Sequence, residues 1–182
     1  MSCAISQKQI REATEADLPI IIEIYNASIS SRMATADLEP VSVESRKHWF
    51  DEHSSTSRPI WVMEHDNTIV GWLSFQSFYG RPAYDKTAEV SIYVSLLYRR
   101  QGIGEQLLQQ AIHKSPALGL DTLIGFIFAH NRPSLQLFAK YHFQQWGYLP
   151  KVAELDGIKR GLVIVGRKVY SFNSSPTSTD GG

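Results

Sequence analysis

The stretch Glu89-Val-Ser-Ile-Tyr-Val-Ser-Leu-Leu-Tyr-Arg-Arg-Gln-Gly-Ile-Gly-Glu-Gln-Leu-Leu-Gln-Gln-Ala-Ile-His-Lys114 decides how this chain is read. Val90, Ser91, Ile92, Tyr93 and Val94 are mostly β-branched or aromatic and predict a strand. From Gly104 a helical repeat takes over. Ile103, Leu107 and Ala111 recur at spacings of four, as do Leu108 and Ile112. Between strand and helix sits Arg99-Arg100-Gln101-Gly102-Ile103-Gly104. A helix start offers about four backbone N–H groups without intrahelical partners, and the positive end of the helix dipole. Glycine lets a ligand come close to the backbone, because no Cβ intervenes. With two arginines alongside, these features suit a phosphate or pyrophosphate. A plain strand-to-helix turn with surface arginines fits the same residues, and G-x-G alone leaves both open. The pattern G-x-x-x-x-G-K-[ST] is absent. So is G-x-G-x-x-G, since position 107 is Leu.

Composition narrows the classes. A length of 182 residues suits one domain, placed at 1–170, and 43% apolar residues suffice for a sizeable core. Residues 171–182 are mostly Ser, Thr, Pro and Gly and predict a disordered tail. Eighteen basic residues balance eighteen acidic ones, so no net field draws in nucleic acid or an anionic membrane. A single cysteine, Cys3, cannot form an internal disulfide, and no Cys/His cluster has zinc spacing. No metal is expected. No apolar run approaches the roughly 18 residues of a membrane span. The N-terminus lacks the basic region and long apolar core of a signal peptide. The expectation is a cytoplasmic protein.

Taken in order, residues 9–12 read as a short strand. Thr14 and Asp17 mark a helix start, and Pro19 fits its first turn. Ile20, Ile21, Ile24 and Tyr25 give that helix an apolar face, and 26–40 reads as a loop or a short irregular helix. A second helix is expected over 43–52, with Trp49 and Phe50 buried. Strands follow at 60–64 and 68–76, joined by the turn residues His65-Asp66-Asn67. After a loop at 78–86 comes the opening stretch, then a buried strand at 122–128. A helix starts at Asn131-Arg132-Pro133-Ser134, and late strands lie at 143–149 and 162–170.

The motif Arg99-x-x-Gly102-x-Gly104, set between strand and helix with Tyr93-Val94 just upstream, resembles the pyrophosphate loop of the GCN5-related N-acetyltransferases, the GNAT family. The element order β-α-α-β-β-β-α-β-α-β-β matches that family too. The resemblance implies an α/β (α+β) fold: a mixed, mostly antiparallel twisted sheet with helices on both faces. It also implies acetyl-CoA as acetyl donor. N–H groups from Arg99 to Glu105, with Arg100, Gln101 and Ile103 between them, would hold the pyrophosphate. The backbone of Ile92, Tyr93 and Val94 would pair with the pantetheine arm.

Within the family, the phosphinothricin and methionine sulfoximine N-acetyltransferases are similar over nearly the full length. The resembling pieces are Ile10-Arg11, Ala13-Thr14-Glu15-Ala16-Asp17-Leu18-Pro19, Ile24-Tyr25-Asn26, Glu39-Pro40, Arg81-x-Ala83-Tyr84-Asp85-x-Thr87-Ala88-Glu89 and Asn131-x-Pro133-Ser134. By that resemblance Glu89 is the general base, acting directly or through water, because only an unprotonated amine attacks a thioester. An ion pair with Arg81 or Lys86 is the plainer role for Glu89. Arg81 and Tyr84, with Tyr79, line the acceptor pocket, where Arg81 could grip a carboxylate or phosphinate in bidentate fashion. A solvated loop residue and a core aromatic are the alternatives. Asn131, with Ser134, touches the pantetheine arm, and also suits a helix N-cap. Tyr25, Met33 and Thr35 belong to the segment that closes over substrate.

Three departures stand out. Phe138 replaces the usual His or Tyr and cannot donate a proton, while Tyr141 lies one turn on. Tyr141-His142-Phe143 replaces a Leu-Gly-Phe-like turn, so His142 takes a position suited to the left-handed conformation of glycine. Leu162-Val163-Ile164-Val165 stands where the subgroup carries Trp-x-Asp. The expected function is transfer of acetyl from acetyl-CoA to the α-amine of a small amino-acid analogue, by a homodimer. Another amine acceptor, such as a polyamine or peptide N-terminus, and a non-catalytic acetyl-CoA sensor are the rivals.

Overall fold

Seven strands lie side by side in one sheet, in the order β1-β2-β3-β4-β5-β7-β6. The computed structural model describes residues 7–170, so the expected tail and Cys3 lie outside the described residues. The strands are β1 (Lys8–Glu12), β2 (Ile60–His65), β3 (Thr68–Ser77), β4 (Thr87–Val94), β5 (Thr122–Phe128), β6 (Gln144–Leu155) and β7 (Ile158–Lys168). The helices are α1 (Leu18–Ile29), α2 (Val43–Asp51), α3 (Ile103–Lys114) and α4 (Arg132–Lys140). All neighbouring strands run antiparallel except β4 and β5. This is the mixed sheet flanked by helices that the family resemblance implies.

Each face of the sheet buries its own cluster. On one side Ile103, Leu107, Leu108 and Ala111 of α3 and Phe138 of α4 pack against Leu73, Phe75, Ala88, Val90 and Leu123. On the other, Ile21 and Ile24 of α1 pack against Ile60, Val62 and Trp72, with Trp49 and Phe50 of α2 beside them. The Trp72 indole N–H donates to the Ile21 carbonyl at 3.0 Å, fixing α1 on the sheet. Trp49 and Phe50 are only half-buried, contrary to expectation.

Local chemistry sets the boundaries. At the start of α1, the Thr14 backbone N–H and hydroxyl both donate to Asp17 Oδ2, at 2.7 and 3.0 Å. Arg11 grips the same carboxylate through Nη1 and Nη2, and also holds Glu64. α1 runs on to Ile29, through residues expected to be irregular. Asn26 finds its partner outside the helix, its amide exchanging two hydrogen bonds of 2.9 Å with the Val41 backbone, while the Ser28 hydroxyl donates one turn back to the Tyr25 carbonyl. α4 ends as expected of a helix needing a left-handed residue. His142 has φ 61°, the His142 N–H donates to Ala139 O and the Phe143 N–H to Phe138 O. This is a Schellman ending, closed by the Phe138–Phe143 ring contact at 4.8 Å.

The last hairpin is longer than the sequence predicts. β6 and β7 pair out to Leu155 and Ile158, around Asp156 and Gly157, both at positive φ. Pro150 is accommodated because β6 is an edge strand with irregular register between Leu149 and Ala153. Trp146 sits at a second irregularity, its ring lying over Gly166, and Tyr148 lies over Gly161. A Cβ at either glycine would clash with the ring above it.

Candidate active site

β4 is the strand on which the site is built. On its β3 side it is paired throughout, from Ser77↔Ala88 to Gly71↔Val94. On its β5 side the parallel ladder covers only Thr87, Ala88 and Glu89. Beyond Glu89 the two strands part, and residues 90–94 have no strand partner on that side. Backbone polar groups seek hydrogen-bond partners, so this fork suits an extended polar ligand arm. The expected contacts of Ile92, Tyr93 and Val94 fall here.

Alternation on β4 then divides the labour. Ala88 and Val90 enter the dry core under α3. Glu89, Ser91 and Tyr93 face the other way, opposite Gln76, Ser74 and Trp72 of β3 in register. These three rungs floor a cavity of about 220 Å³, walled by Ile22 and Tyr25 of α1 and by Arg46 and Trp49 of α2. Trp72 and Tyr93 stack at 4.6 Å, and Tyr25 meets Tyr93 edge-on at 5.0 Å.

Glu89 is partly buried, and the ion pairs that could have involved it are not made: neither Arg81 nor Lys86 bridges to it. Burial pushes its carboxyl above the ordinary carboxylate value, with no partner to pull it back. A carboxylate so placed is a stronger base.

Tyr25 is held by its neighbours. Its hydroxyl donates to Asp37 and accepts from the Thr35 hydroxyl. Burial pushes the phenol up to about 12, with the Asp37 carboxylate adding to the shift. Asp37 also pairs with Arg46 at 2.7 Å. Thr35 is buried in this network, and Met33 contributes its carbonyl to the Asn131 amide at 2.9 Å. The Asn131 carbonyl oxygen accepts from the Ser134 N–H, which is the N-cap role. Asn131 thus ties the α1–α2 segment to α4, while its backbone sits just past the end of β5.

The loop before α3 adopts the geometry its glycine spacing suggests. Arg100 and Gly102 have φ of 60° and 76°. Gly102 caps α3 without any side-chain hydrogen bond to the first turn. The N–H groups of Ile103, Gly104 and Glu105 therefore point out of an uncapped helix start, flanked by exposed Arg99, Arg100 and Gln101. A Cβ on Gly104 would meet only ordinary contacts. The fold does not demand glycine there, and a ligand at the helix start is one reason to keep it. The Glu105 side chain is committed to Lys140 at 2.6 Å and to the Tyr141 hydroxyl.

Some expected residues are not brought in. Arg81, Tyr79 and Tyr84 lie on the exposed β3–β4 loop, where Phe78, Tyr79 and Tyr84 cluster together. None of them lines the cavity. Phe138 is buried against Phe143 and over Gly125, and Val163 and Val165 belong to the core. In turn, Trp72, Ser74, Gln76, Ser91, Arg46 and Trp49 escaped the sequence reading. A signal existed for four of them: Trp72-x-Ser74-x-Gln76 and Glu89-x-Ser91-x-Tyr93 alternate polar or amphipathic residues inside strands otherwise apolar.

Comparison with known proteins agrees with this fold. The profile of the acetyltransferase (GNAT) family matches residues 21–143. A Bacillus subtilis (strain 168) protein, YwnH, provisionally named a phosphinothricin acetyltransferase, is 50% identical over 161 residues, covering 88% of this chain and 98% of its own. The L-methionine sulfoximine/L-methionine sulfone acetyltransferase of Pseudomonas paraeruginosa is 32% identical over 168 residues, covering 92% and 98%. A solved structure of a Sinorhizobium meliloti GNAT superfamily phosphinothricin acetyltransferase, in complex with acetyl-CoA, superposes with a TM-score of 0.85 at 26% identity. It covers 94% of each chain.

Proposed function

The chain belongs to the acetyltransferase (GNAT) family, and from that premise we propose that it acetylates the α-amine of a small amino-acid analogue of the phosphinothricin, methionine sulfoximine or methionine sulfone type. It is an acetyltransferase, and acetyl-CoA is its donor. When bound, acetyl-CoA supplies the thioester from which the acetyl group is taken. The uncapped start of α3 is the place for its pyrophosphate, and the open side of β4 the place for its arm.

The observation that carries the acceptor reading is the unpaired Glu89 on the cavity floor, beside the fork. Glu89 would take a proton from the acceptor ammonium, directly or through water, and the freed amine would displace coenzyme A thiolate from the acetyl carbon, the C–S bond breaking as the C–N bond forms. Backbone N–H groups near Val94 polarise the carbonyl. Tyr141 does not face this point; its hydroxyl is bound to Glu105. No side-chain acid is assigned to the departing thiolate. One cation and one carboxylate line the cavity, which supports a zwitterionic acceptor over a polycationic polyamine.

We also propose that the enzyme is a homodimer in the cytoplasm, and one surface supports the pairing. Trp146, Tyr148, Leu149, Val152 and Ile158 are all exposed on the edge hairpin β6–β7. An apolar edge of that kind is a surface for pairing. Sedimentation at micromolar concentration checks it, and a monomer there removes the dimer from the reading.

The test of function is thiol release from acetyl-CoA with a panel of amines: phosphinothricin, methionine sulfoximine, methionine sulfone, natural amino acids and spermidine. Turnover concentrated on the three analogues supports the proposal. Turnover confined to the other amines sinks the acceptor assignment and leaves the family chemistry standing.

A further inference from the structure

Resting on the reading of the cavity as the acceptor site, we propose that Arg46 of α2 binds the acceptor's α-carboxylate and thereby confines the enzyme to amino-acid acceptors. Among the described residues, two charged side chains line the cavity, Arg46 in the wall and Glu89 on the floor. An α-amino acid carries one ammonium and one carboxylate on a single carbon. The ammonium belongs at Glu89, where the proton must leave. The carboxylate then needs a cation within the same small space, and Arg46 is the one the cavity provides.

Arg46 is held ready for this task. Its Nη2 pairs with Asp37 at 2.7 Å, and its guanidinium lies over the Tyr25 ring at 5.4 Å. Asp37 is itself fixed by the Tyr25 hydroxyl. That anchoring uses one of the five N–H donors of the guanidinium. The planar fork keeps donors for a second carboxylate, with little further ordering needed to form those bonds. Asp37 also keeps the wall near neutral without an acceptor, so Arg46 rests there as half of a pair.

Arg81, Arg58, Arg99 and Arg100 are placed worse. Arg81 is exposed on the β3–β4 loop and lines no part of the cavity. Arg58 spends its guanidinium on the carbonyls of Ser57, Asp85 and Thr87. Arg99 and Arg100 are exposed at the α3 start. The assignment therefore moves carboxylate recognition from Arg81, where resemblance put it, to a residue whose importance no local motif reveals.

The experiment compares methionine sulfone with its decarboxylated counterpart, 3-(methylsulfonyl)propylamine, on wild type, Arg46→Gln, Arg46→Lys, Arg81→Gln and Asp37→Asn. Arg46→Gln should raise KM for methionine sulfone on the order of 10–100-fold, the loss expected for a charge-assisted hydrogen bond. Its kcat, its KM for acetyl-CoA and its turnover of the decarboxylated amine should stay near wild type. Arg46→Lys should recover part of the preference. Asp37→Asn, which breaks the pair and keeps the guanidinium, should retain it. A preference that survives in Arg46→Gln, or that disappears in Arg81→Gln instead, overturns the proposal. Equal losses on both acceptors overturn it too, because they mark Arg46 as structural. A wild type that acetylates amines without favouring a carboxylate refutes this inference alone. No turnover of any amine refutes the proposed function, and this inference with it.

Discussion

Asp17 and Glu89 are both largely hidden carboxylates, and the protein treats them in opposite ways. Asp17 receives two bonds from Arg11 and two from Thr14. The Arg11 hydrogen bond leads in holding its carboxyl down at about 2. Glu89 has burial and no partner, and its carboxyl rises. The contrast separates an anion that supports the fold from one that the fold tolerates for chemistry. Asp17 is satisfied by residues three and six positions away, so its chain segment closes on itself. Glu89 is carried to its place by strand register, and nothing in register with it is a cation.

Breaking the contrast at Glu89 should give the largest effect. Glu89→Gln should lower kcat/KM by about 10²–10⁴-fold, the usual contribution of a general base. Because the folded-state carboxyl titrates above the unfolded one, ionised Glu89 costs stability once pH rises through its folded value. Glu89→Gln should therefore hold or raise Tm at neutral pH. In wild type the rate should climb through that same titration, and the variant should lack this acid limb. A variant that loses both rate and Tm would place Glu89 in the framework.

Asp17→Asn should do the reverse. The shift from 3.8 to about 2 corresponds to stability on the order of 2 kcal/mol. That stability is complete above pH about 4 and is lost as pH falls through about 2. In thermal melts at neutral pH the variant should lose about 4–8 °C, at roughly 2–4 °C per kcal/mol for a chain of this size. Its kcat/KM should stay within about twofold of wild type, and its stability should fall less steeply in acid.

The smallest change lies away from both carboxylates. His142→Gly relieves a left-handed residue at the end of α4. A gain of about 1 kcal/mol is expected, less any entropy the glycine returns to the unfolded chain. Chemical denaturation with unchanged m-value checks it. No gain would mean that the Schellman ending already absorbs the strain.

Legibility in the sequence followed the range of the interactions. The element order, the α3 loop and the α1 start were legible because each rests on residues within a few positions of one another. The positive φ of His142 was legible through resemblance, since a Leu-Gly-Phe-like turn stands there in the family. Position 89 was legible through resemblance, and its lack of a partner was not. Arg46 could not be found, since its place over the Tyr25 ring, in the same cavity as Glu89, depends on how α2 packs on the sheet. The hairpin end at Asp156-Gly157 was not read from the sequence, and Pro150 fits in β6 because β6 is an edge strand. Asn26 read as a loop residue because its outside partner, Val41, lies across a long connection.

The glycines beneath the edge-strand rings carry a consequence for descent. Trp146 fits over Gly166, and Tyr148 over Gly161, only while those positions have no side chain. A lineage that changes either glycine first must also displace the ring already there, whereas one that first shrinks the aromatic residue leaves the glycine free to drift. The two strands therefore inherit their sequences jointly, and among related chains a side chain at 166 should travel with a small residue at 146.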